Sequence, residues 1–93
     1  MWEILEHRNV EKQLRSNPME LQKRYEKWKD IVRLSGPNGL RLITGFHDES
    51  LQGKWKGHRS SRLNQKYRVI YRIESRDMLV LVIAVTPHDY RRK

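Results

Sequence analysis

Residues 66–86, KYRVIYRIESRDMLVLVIAVT, contain two strand patterns joined by a turn signal. In residues 66–74 an apolar or aromatic side chain recurs at every second position, the period of a β-strand with one face in a core. Residues 75–77 are polar and suit a hairpin turn. Residues 78–86 are almost entirely apolar, which predicts a central strand covered on both faces.

The N-terminal part of the chain carries helix patterns instead. Residues 2–6 predict a first strand, a short helix is expected next, and Asn17 is the predicted N-cap of a longer helix. Gly36 is expected to end that helix, whose buried stripe consists of Leu21, Tyr25, Trp28 and Val32. This order predicts one α+β domain over residues 1–93, with two N-terminal helices packed on a small, mainly antiparallel twisted sheet.

The charge balance narrows the class of partner. The 93 residues include 20 Lys and Arg against 11 Asp and Glu, a net charge of +9. Such an excess on a small domain favours nucleic acid, an acidic protein or an anionic membrane as partner. The absence of Cys excludes disulfides and thiolate metal sites and fits a cytoplasmic location. No apolar run is long enough to span a bilayer, and the charged residues after Met1 argue against a signal peptide.

Arg68 is the first candidate for chemistry. It alternates with apolar neighbours, so the sheet is expected to hold its stem and present the guanidinium as a rigid clamp for phosphate. The alternative is a partly exposed strand arginine paired with Glu74 or Asp77, and the pattern alone favours neither interpretation.

Three further positions suit proton transfer or base stacking. His88 follows the second strand, and an imidazole can accept or donate a proton near neutral pH. Tyr90 can stack on a base or hydrogen-bond a phosphate, although the residues alone favour a polar chain end without a role. Glu49, before a basic segment, can serve as a general base but is more often a surface counter-charge. His47 and His58 are other possible proton carriers, and the four histidines lack metal-ligand spacing, so no metal site is expected.

Cationic residues also cluster between positions 54 and 66. This basic ribbon has aromatic Trp55 and Tyr67 interleaved with it and consists of Lys54, Lys56, His58, Arg59, Arg62 and Lys66. Phosphate neutralisation combined with base stacking is how proteins hold single-stranded RNA. A solvated basic face is the simpler interpretation, but the net charge favours contact with nucleic acid.

The stretch RSSRLNQKYRVIYRI (residues 59–73), followed by an apolar strand and HDYRR (residues 88–92), resembles the RelE/YoeB superfamily of bacterial type II toxins. The resemblance covers nearly the whole chain in its order of elements and is specific from about residue 49 onward. It implies a microbial-ribonuclease-like fold and a toxin that enters the ribosomal A site, cuts mRNA and so inhibits translation. It also implies a cognate antitoxin as partner.

The resemblance assigns roles to individual residues. YRVIY places Arg68 on the family's arginine that contacts the scissile phosphate. ESLQGKWKGHRSSR runs parallel, without gaps, to the YoeB-like stretch that begins with a catalytic Glu, which puts Glu49 on the general base and Arg62 beside the substrate. His88 and Tyr90 match the terminal His and Tyr, the His as general acid, although Asp89 separates them here.

The remaining cations are the implied RNA contacts. The chain continues beyond Tyr90 with Arg91 and Arg92. RelE uses Lys and Arg where YoeB has Glu and His, so Lys54, Lys56 and Arg59 are also possible contributors to catalysis. The implied reaction needs no metal and no cofactor: a ribose 2′-OH attacks the adjacent phosphate to give a 2′,3′-cyclic phosphate and a 5′-OH.

Two other functions remain open at this stage. One is a ParE-like toxin of the same fold that acts on DNA gyrase and cuts nothing, and the other is an RNA-binding module without catalysis. For every toxin hypothesis, a +9 domain favours an acidic, partly disordered antitoxin that masks its basic surface. Ribosome and mRNA are the other expected partners, and no membrane is expected.

Overall fold

The computed structural model describes residues 1–87, which form three α-helices and a five-stranded sheet. In chain order the elements are β1 (Glu3–Glu6), α1 (Asn9–Arg15), α2 (Met19–Ser35), α3 (Asn38–Arg41), β2 (Glu49–Ser50), β3 (Arg59–Arg62), β4 (Arg68–Glu74) and β5 (Leu79–Thr86). The strand order across the sheet is β1-β5-β4-β3-β2. The predicted α+β class is confirmed.

The sheet is mixed, which corrects one part of the prediction. The pairs β2–β3, β3–β4 and β4–β5 are antiparallel, but β1 runs parallel to β5 with Ile4 opposite Val80. The long connection that a parallel pair requires runs from β1 through the helices and strands β2 to β4 before the chain reaches β5. Helix α3 and strand β2 were not predicted, because elements of four and two residues are too short to show a period.

Strands β4 and β5 form the predicted hairpin, with a bulge in β5. Ile70 lies opposite Ala84 whereas Tyr71 lies opposite Val82, so the register skips Ile83. Because a bulge shifts the alternation by one residue, Val82 and Val85 both enter the core. The prediction that β5 is covered on both faces is wrong, since alternate residues such as Leu79 and Leu81 are only half-buried.

The core lies between the sheet and α2. The predicted stripe Leu21, Tyr25, Trp28 and Val32 is buried there in full. The ring of Trp28 stacks on Tyr25 at 5.8 Å between centroids and meets Tyr71 of β4 edge-on at 5.3 Å. Such aromatic contacts add about 1 kcal/mol each beyond the burial of their area, and through them Trp28 joins α2 to β4.

The ends of α2 differ in how well the sequence predicted them. Asn17 does not cap the helix: its Nδ2 donates to the Gln13 carbonyl at 2.7 Å, and α2 begins at Met19 without a side-chain cap. Gly36 ends the helix as expected, with φ of 76° and its N–H donating to Val32 O at 2.8 Å. No helix within residues 1–87 has the length and apolar composition needed to cross a membrane.

Candidate active site

Arg68 begins β4 on the face of the sheet away from α2. Its neighbours Val69 and Tyr71 are fully buried in the core with α2. Successive side chains of a strand point to opposite faces, so alternation directs Arg68 to the other side. Only 5% of the residue is exposed, although arginines are rarely buried without partners.

The partners of the Arg68 guanidinium come from two neighbouring strands. Nε and Nη2 donate to Ser60 Oγ of β3 at 3.1 and 2.8 Å. Nη2 also lies 3.2 Å from Glu49 Oε2 of β2 and 3.5 Å from the His47 carbonyl oxygen. The expected alternative pairing with Glu74 or Asp77 does not occur, because Glu74 binds Arg72 at 2.9 Å. The structure therefore brings Arg68 and Glu49 together.

Glu49 and Arg68 form an ion pair whose two side chains differ in their exposure to solvent. The Glu49 side chain is 38% exposed, whereas that of Arg68 is 7% exposed. A charge held this deeply needs its partners, so the geometry of Arg68 is expected to be well defined. Glu49 is therefore the more exposed member of the ion pair.

A second arginine stands directly beside Arg68. In the β3–β4 register Arg62 is opposite Arg68, and in the β4–β5 register Thr86 is opposite Arg68 on the other side. Like charges directly opposite each other on neighbouring strands are destabilising unless an anion lies between them. Two neighbouring guanidinium groups at this end of the sheet are suited to a phosphate.

The rest of the basic ribbon divides into exposed and inward-facing parts. Lys54, Lys56 and Lys66 are exposed, as an RNA contact requires. The Trp55 ring instead packs edge-on against His58 at 5.3 Å, and Tyr67 packs against the core. The structure therefore offers the lysines of the ribbon to a ligand more directly than its aromatic rings.

Arg59 belongs to a separate cluster on the helix side of the sheet. Its Nε and Nη2 bind Asp48 Oδ1 at 2.8 and 2.7 Å, and Nη1 donates to Ser50 Oγ at 2.8 Å. Hydrogen bonding to Asp48 and the charge of Asp48 raise the pKa of Arg59 against the opposing effect of burial, which alone lowers it. The structure thus places Arg59 apart from Arg62 and Arg68.

The Asp48 cluster also includes a tyrosine of β4. Tyr71 donates its hydroxyl hydrogen to Asp48 Oδ2. Burial, followed by the charge and hydrogen bond of Asp48, raises the pKa of Tyr71 far above its ordinary value. The phenol therefore remains a hydrogen-bond donor at any working pH.

One open pocket among the described residues lies beside Arg59 and apart from the arginine pair. It has a volume of about 260 Å³ and is lined by Arg41, Ser50, Gly57, His58, Arg59 and Ile73. Neither Arg68 nor Glu49 lines this pocket.

Four of the sequence-predicted site residues lie outside the described part of the chain: His88, Tyr90, Arg91 and Arg92. Sequence reasoning also missed Ser60 and Asp48. Ser60 and Ser61 are both fully buried, and consecutive polar residues in an otherwise apolar sheet were the available signal that side-chain partners lie on both faces.

Comparison with known proteins yields matches among solved structures. A scan against family models and a search of curated proteins find no match. The archaeal RelE–RelB complex from Pyrococcus horikoshii OT3 contains a chain 26% identical to this one, with a TM-score of 0.74 and coverage of 92% of this chain and 93% of that one.

Two bacterial structures show the same fold at lower identity. A YoeB/ParE toxin from Agrobacterium tumefaciens is 13% identical, with a TM-score of 0.74 and coverage of 94% of this chain and 99% of that one. A heterotetrameric YoeB–YefM toxin–antitoxin complex from Staphylococcus aureus contains a chain 17% identical, with a TM-score of 0.71 and coverage of 96% and 99%. The resemblance found in the sequence is thus confirmed over the whole fold, which is that of the RelE, YoeB and YafQ toxins of the RelE/YoeB superfamily.

Proposed function

We propose that this protein is the toxin of a type II toxin–antitoxin system and a ribosome-dependent mRNA endoribonuclease. The observation that carries the proposal is the arginine pair of neighbouring strands, Arg62 opposite Arg68, with the Glu49 carboxylate 3.2 Å from the Arg68 guanidinium. A phosphate can lie against the two cations while an adjacent hydroxyl lies near the carboxylate. This arrangement suits cleavage of RNA by its own 2′-OH.

The proposed reaction is a metal-independent transesterification. Glu49 takes the proton from the ribose 2′-OH, whose oxygen attacks the adjacent phosphorus in line. Arg68 and Arg62 stabilise the charge that develops on the phosphate oxygens. His88 protonates the leaving 5′-oxygen, and Tyr90 positions the substrate beside it. The products are a 2′,3′-cyclic phosphate and a 5′-OH.

The proposed role of the ribosome is to orient the RNA. Among the described residues, Glu49, Arg62 and Arg68 are the ones assigned to the reaction, so orientation of the RNA by a second body would add much to the rate. A ribosomal A site that presents a codon in one conformation supplies that orientation. The exposed Lys54, Lys56 and Lys66, with Arg91 and Arg92 of the chain end, are proposed to contact RNA phosphates.

We propose an acidic, partly disordered antitoxin as the protein partner and the cytoplasm as the location. The net charge of +9 favours such a partner, and the matched structures from P. horikoshii and S. aureus are complexes with RelB and YefM. Co-expression with the neighbouring gene product followed by gel filtration tests this. Separate elution of the two proteins at low salt would count against an antitoxin partner.

The test of the function is a map of mRNA ends after brief induction in bacteria. Wild-type protein, Arg68→Ala and His88→Ala are compared at equal expression. Cuts inside translated codons that disappear in both variants are the expected result. Growth arrest with intact mRNA would overturn the nuclease and move the gyrase-directed toxin to first place, and RNA binding without cuts or arrest would indicate a non-catalytic module.

A further inference from the structure

The residue before Glu49 is the centre of a buried polar cluster. No part of the Asp48 side chain is exposed. Its Oδ1 accepts from Nε and Nη2 of Arg59, and its Oδ2 accepts from Ser61 Oγ at 2.6 Å and from the Tyr71 hydroxyl. Ser61 Oγ in turn accepts from Trp28 Nε1 at 2.9 Å. Asp48 is therefore joined to β3, β4 and α2.

The residues on either side of Asp48 both contact Arg68. Glu49 Oε2 and the His47 carbonyl oxygen both contact Arg68 Nη2, at 3.2 and 3.5 Å. Asp48 points to the helix side, where its cluster lies, because successive side chains of extended backbone alternate in direction. Fixing Asp48 on one side therefore sets the position of Glu49 on the other.

A second contact holds the segment on the far side of Glu49. Arg59 Nη1 donates to Ser50 Oγ at 2.8 Å while the same guanidinium binds Asp48. The backbone before and after Glu49 is thus tied to one arginine of β3. Strand β2 has only two residues, so its ladder with β3 alone gives Glu49 little restraint.

We propose that Asp48 is a positioning residue for the cleavage reaction, holding residues 47–49 so that the Glu49 carboxylate stays beside Arg68. This inference rests on the proposed nuclease function, but its structural part can be measured without RNA. Asp48 does not touch substrate. It acts through Arg59, Ser61 and Tyr71 on one face and through the peptide backbone on the other.

The decisive variant is Asp48→Asn, which keeps the size of the side chain. The amide of Asn has an NH2 group in place of one carboxylate oxygen. That group would point at N–H or O–H donors of Arg59, or of Ser61 and Tyr71, and could not accept their hydrogen bonds. Residues 47–49 are then expected to shift and loosen their contact with Arg68. Val80→Ala is the matched control, because Val80 is fully buried opposite Ile73 and its truncation lowers stability without touching the Asp48 cluster.

The structural measurement is hydrogen exchange of the Arg68 Nε–H, followed by NMR. In the wild type this hydrogen is bonded to Ser60 in a residue only 5% exposed, so exchange is expected to be slow. Asp48→Asn should accelerate it roughly tenfold, and Val80→Ala should leave it near the wild-type value. Equal exchange in Asp48→Asn and the wild type, or equal acceleration by both variants, would overturn the proposal.

The kinetic measurement separates positioning from binding. The single-turnover cleavage rate on programmed ribosomes should fall roughly 100-fold in Asp48→Asn, the loss typical of a slightly misplaced group. Affinity for ribosomes carrying a 2′-deoxy mRNA, which cannot be cut, should be unchanged. If Asp48→Asn lowers the affinity for these ribosomes and leaves the cleavage rate unchanged, the positioning role is wrong. If the wild type cuts no RNA, the nuclease proposal fails while the exchange measurement still decides the positioning.

Tyr71→Phe covers the case in which Asp48→Asn does not fold. It removes one donor to Asp48 and keeps the ring that packs on Trp28. Exchange and cleavage should change in the same direction as for Asp48→Asn, by a smaller factor. Wild-type values in both measurements would overturn the proposal.

Discussion

The contacts of Arg68 use more than one nitrogen of its guanidinium, so the need for its charge and the need for its planar geometry can be tested separately. Its guanidinium donates from two nitrogens to Ser60 and still reaches Glu49, which a lysine ammonium cannot do from a single nitrogen. We therefore expect Arg68→Lys to lose cleavage by roughly 100-fold or more although it keeps the charge. Single-turnover rates on programmed ribosomes measure this.

A control for this variant lies on the same strand. Arg72 is exposed and pairs with Glu74 at the opposite end of β4, so Arg72→Lys should cleave like the wild type. Full activity in Arg68→Lys would show that charge alone is needed there and would remove the argument from the fixed guanidinium.

Two buried tyrosines predict how stability depends on pH. Burial is the main cause that raises the pKa of Tyr25 and Tyr71 above their ordinary 10.0, assisted by Glu6 and Asp48 respectively. The folded protein keeps both phenols protonated while the unfolded chain ionises them, so their stabilisation is complete below pH 10 and is lost above it. The free energy of unfolding should fall by about 1.4 kcal/mol per pH unit for each tyrosine.

Urea denaturation between pH 8 and 11 measures that slope. Tyr71→Phe should reduce the slope by about half, because only Tyr25 then contributes. An unchanged slope in Tyr71→Phe would mean that other groups dominate the alkaline loss of stability.

At the level of single residues, the sequence predicted the candidate site only in part. Alternation identified Arg68 as a side chain held by the sheet, and the resemblance placed Glu49 in the same site. The roles of the Ser60 hydroxyl and the Asp48 carboxylate were missed, because a single polar residue forms no hydrophobic pattern. Which partners such a side chain contacts depends on how distant strands pair. Register, which those residues need, is not visible in a single strand.

Two glycines with positive φ, Gly36 between α2 and α3 and Gly57 before β3, are expected to differ in the stability that their replacement by Ala would cost. Gly36 has φ of 76°, and a Cβ there would lie 2.7 Å from Trp2 Nε1, whereas Gly57 has φ of 95° and nothing within 4 Å. Gly57→Ala should cost about 1 kcal/mol from backbone strain alone. Gly36→Ala should cost clearly more, because the indole must move as well.

Urea denaturation of the two alanine variants measures this difference. The far-ultraviolet circular dichroism of both should match the wild type, so that the comparison concerns stability and not fold. Equal losses would show that the Trp2 ring yields easily and that the close approach at Gly36 stores little energy.

Elements were predictable in proportion to their length and period. The 17-residue α2 and the β4–β5 hairpin repeat their patterns often enough to be identified. The two-residue β2 and four-residue α3 are set by tertiary contacts, and the parallel pairing of β1 depends on where two helices return the chain. The bulge at Ile83 was equally hidden, because an apolar run shows no alternation that it could interrupt.

For the whole molecule, the charge excess predicts a steep dependence of RNA binding on salt. Lys54 and Lys56 of the basic ribbon are exposed, so replacing both by Gln should lower the slope of log affinity against log salt by about 1 to 2. Salt titrations with ribosomes carrying the uncut 2′-deoxy mRNA measure the slope.

The matched control removes two charges from the helices. Lys12 of α1 and Lys23 of α2 are exposed away from the arginine pair, and their replacement by Gln gives the same net charge. The slope should then stay near the wild-type value. Equal effects of both pairs would mean that RNA responds to total charge and has no preferred surface.

The parallel pairing of β1 with β5 also determines when the sheet can close during synthesis of the chain. Glu3 to Glu6 have no strand partner until residues 79–82 have been made and have left the ribosome. Contacts between such distant parts of a chain form late, since the loop between them must close first. Thr86, which lies opposite Arg68, is later still. A nascent chain therefore cannot close the sheet around Arg68 until residues 79–86 have left the ribosome.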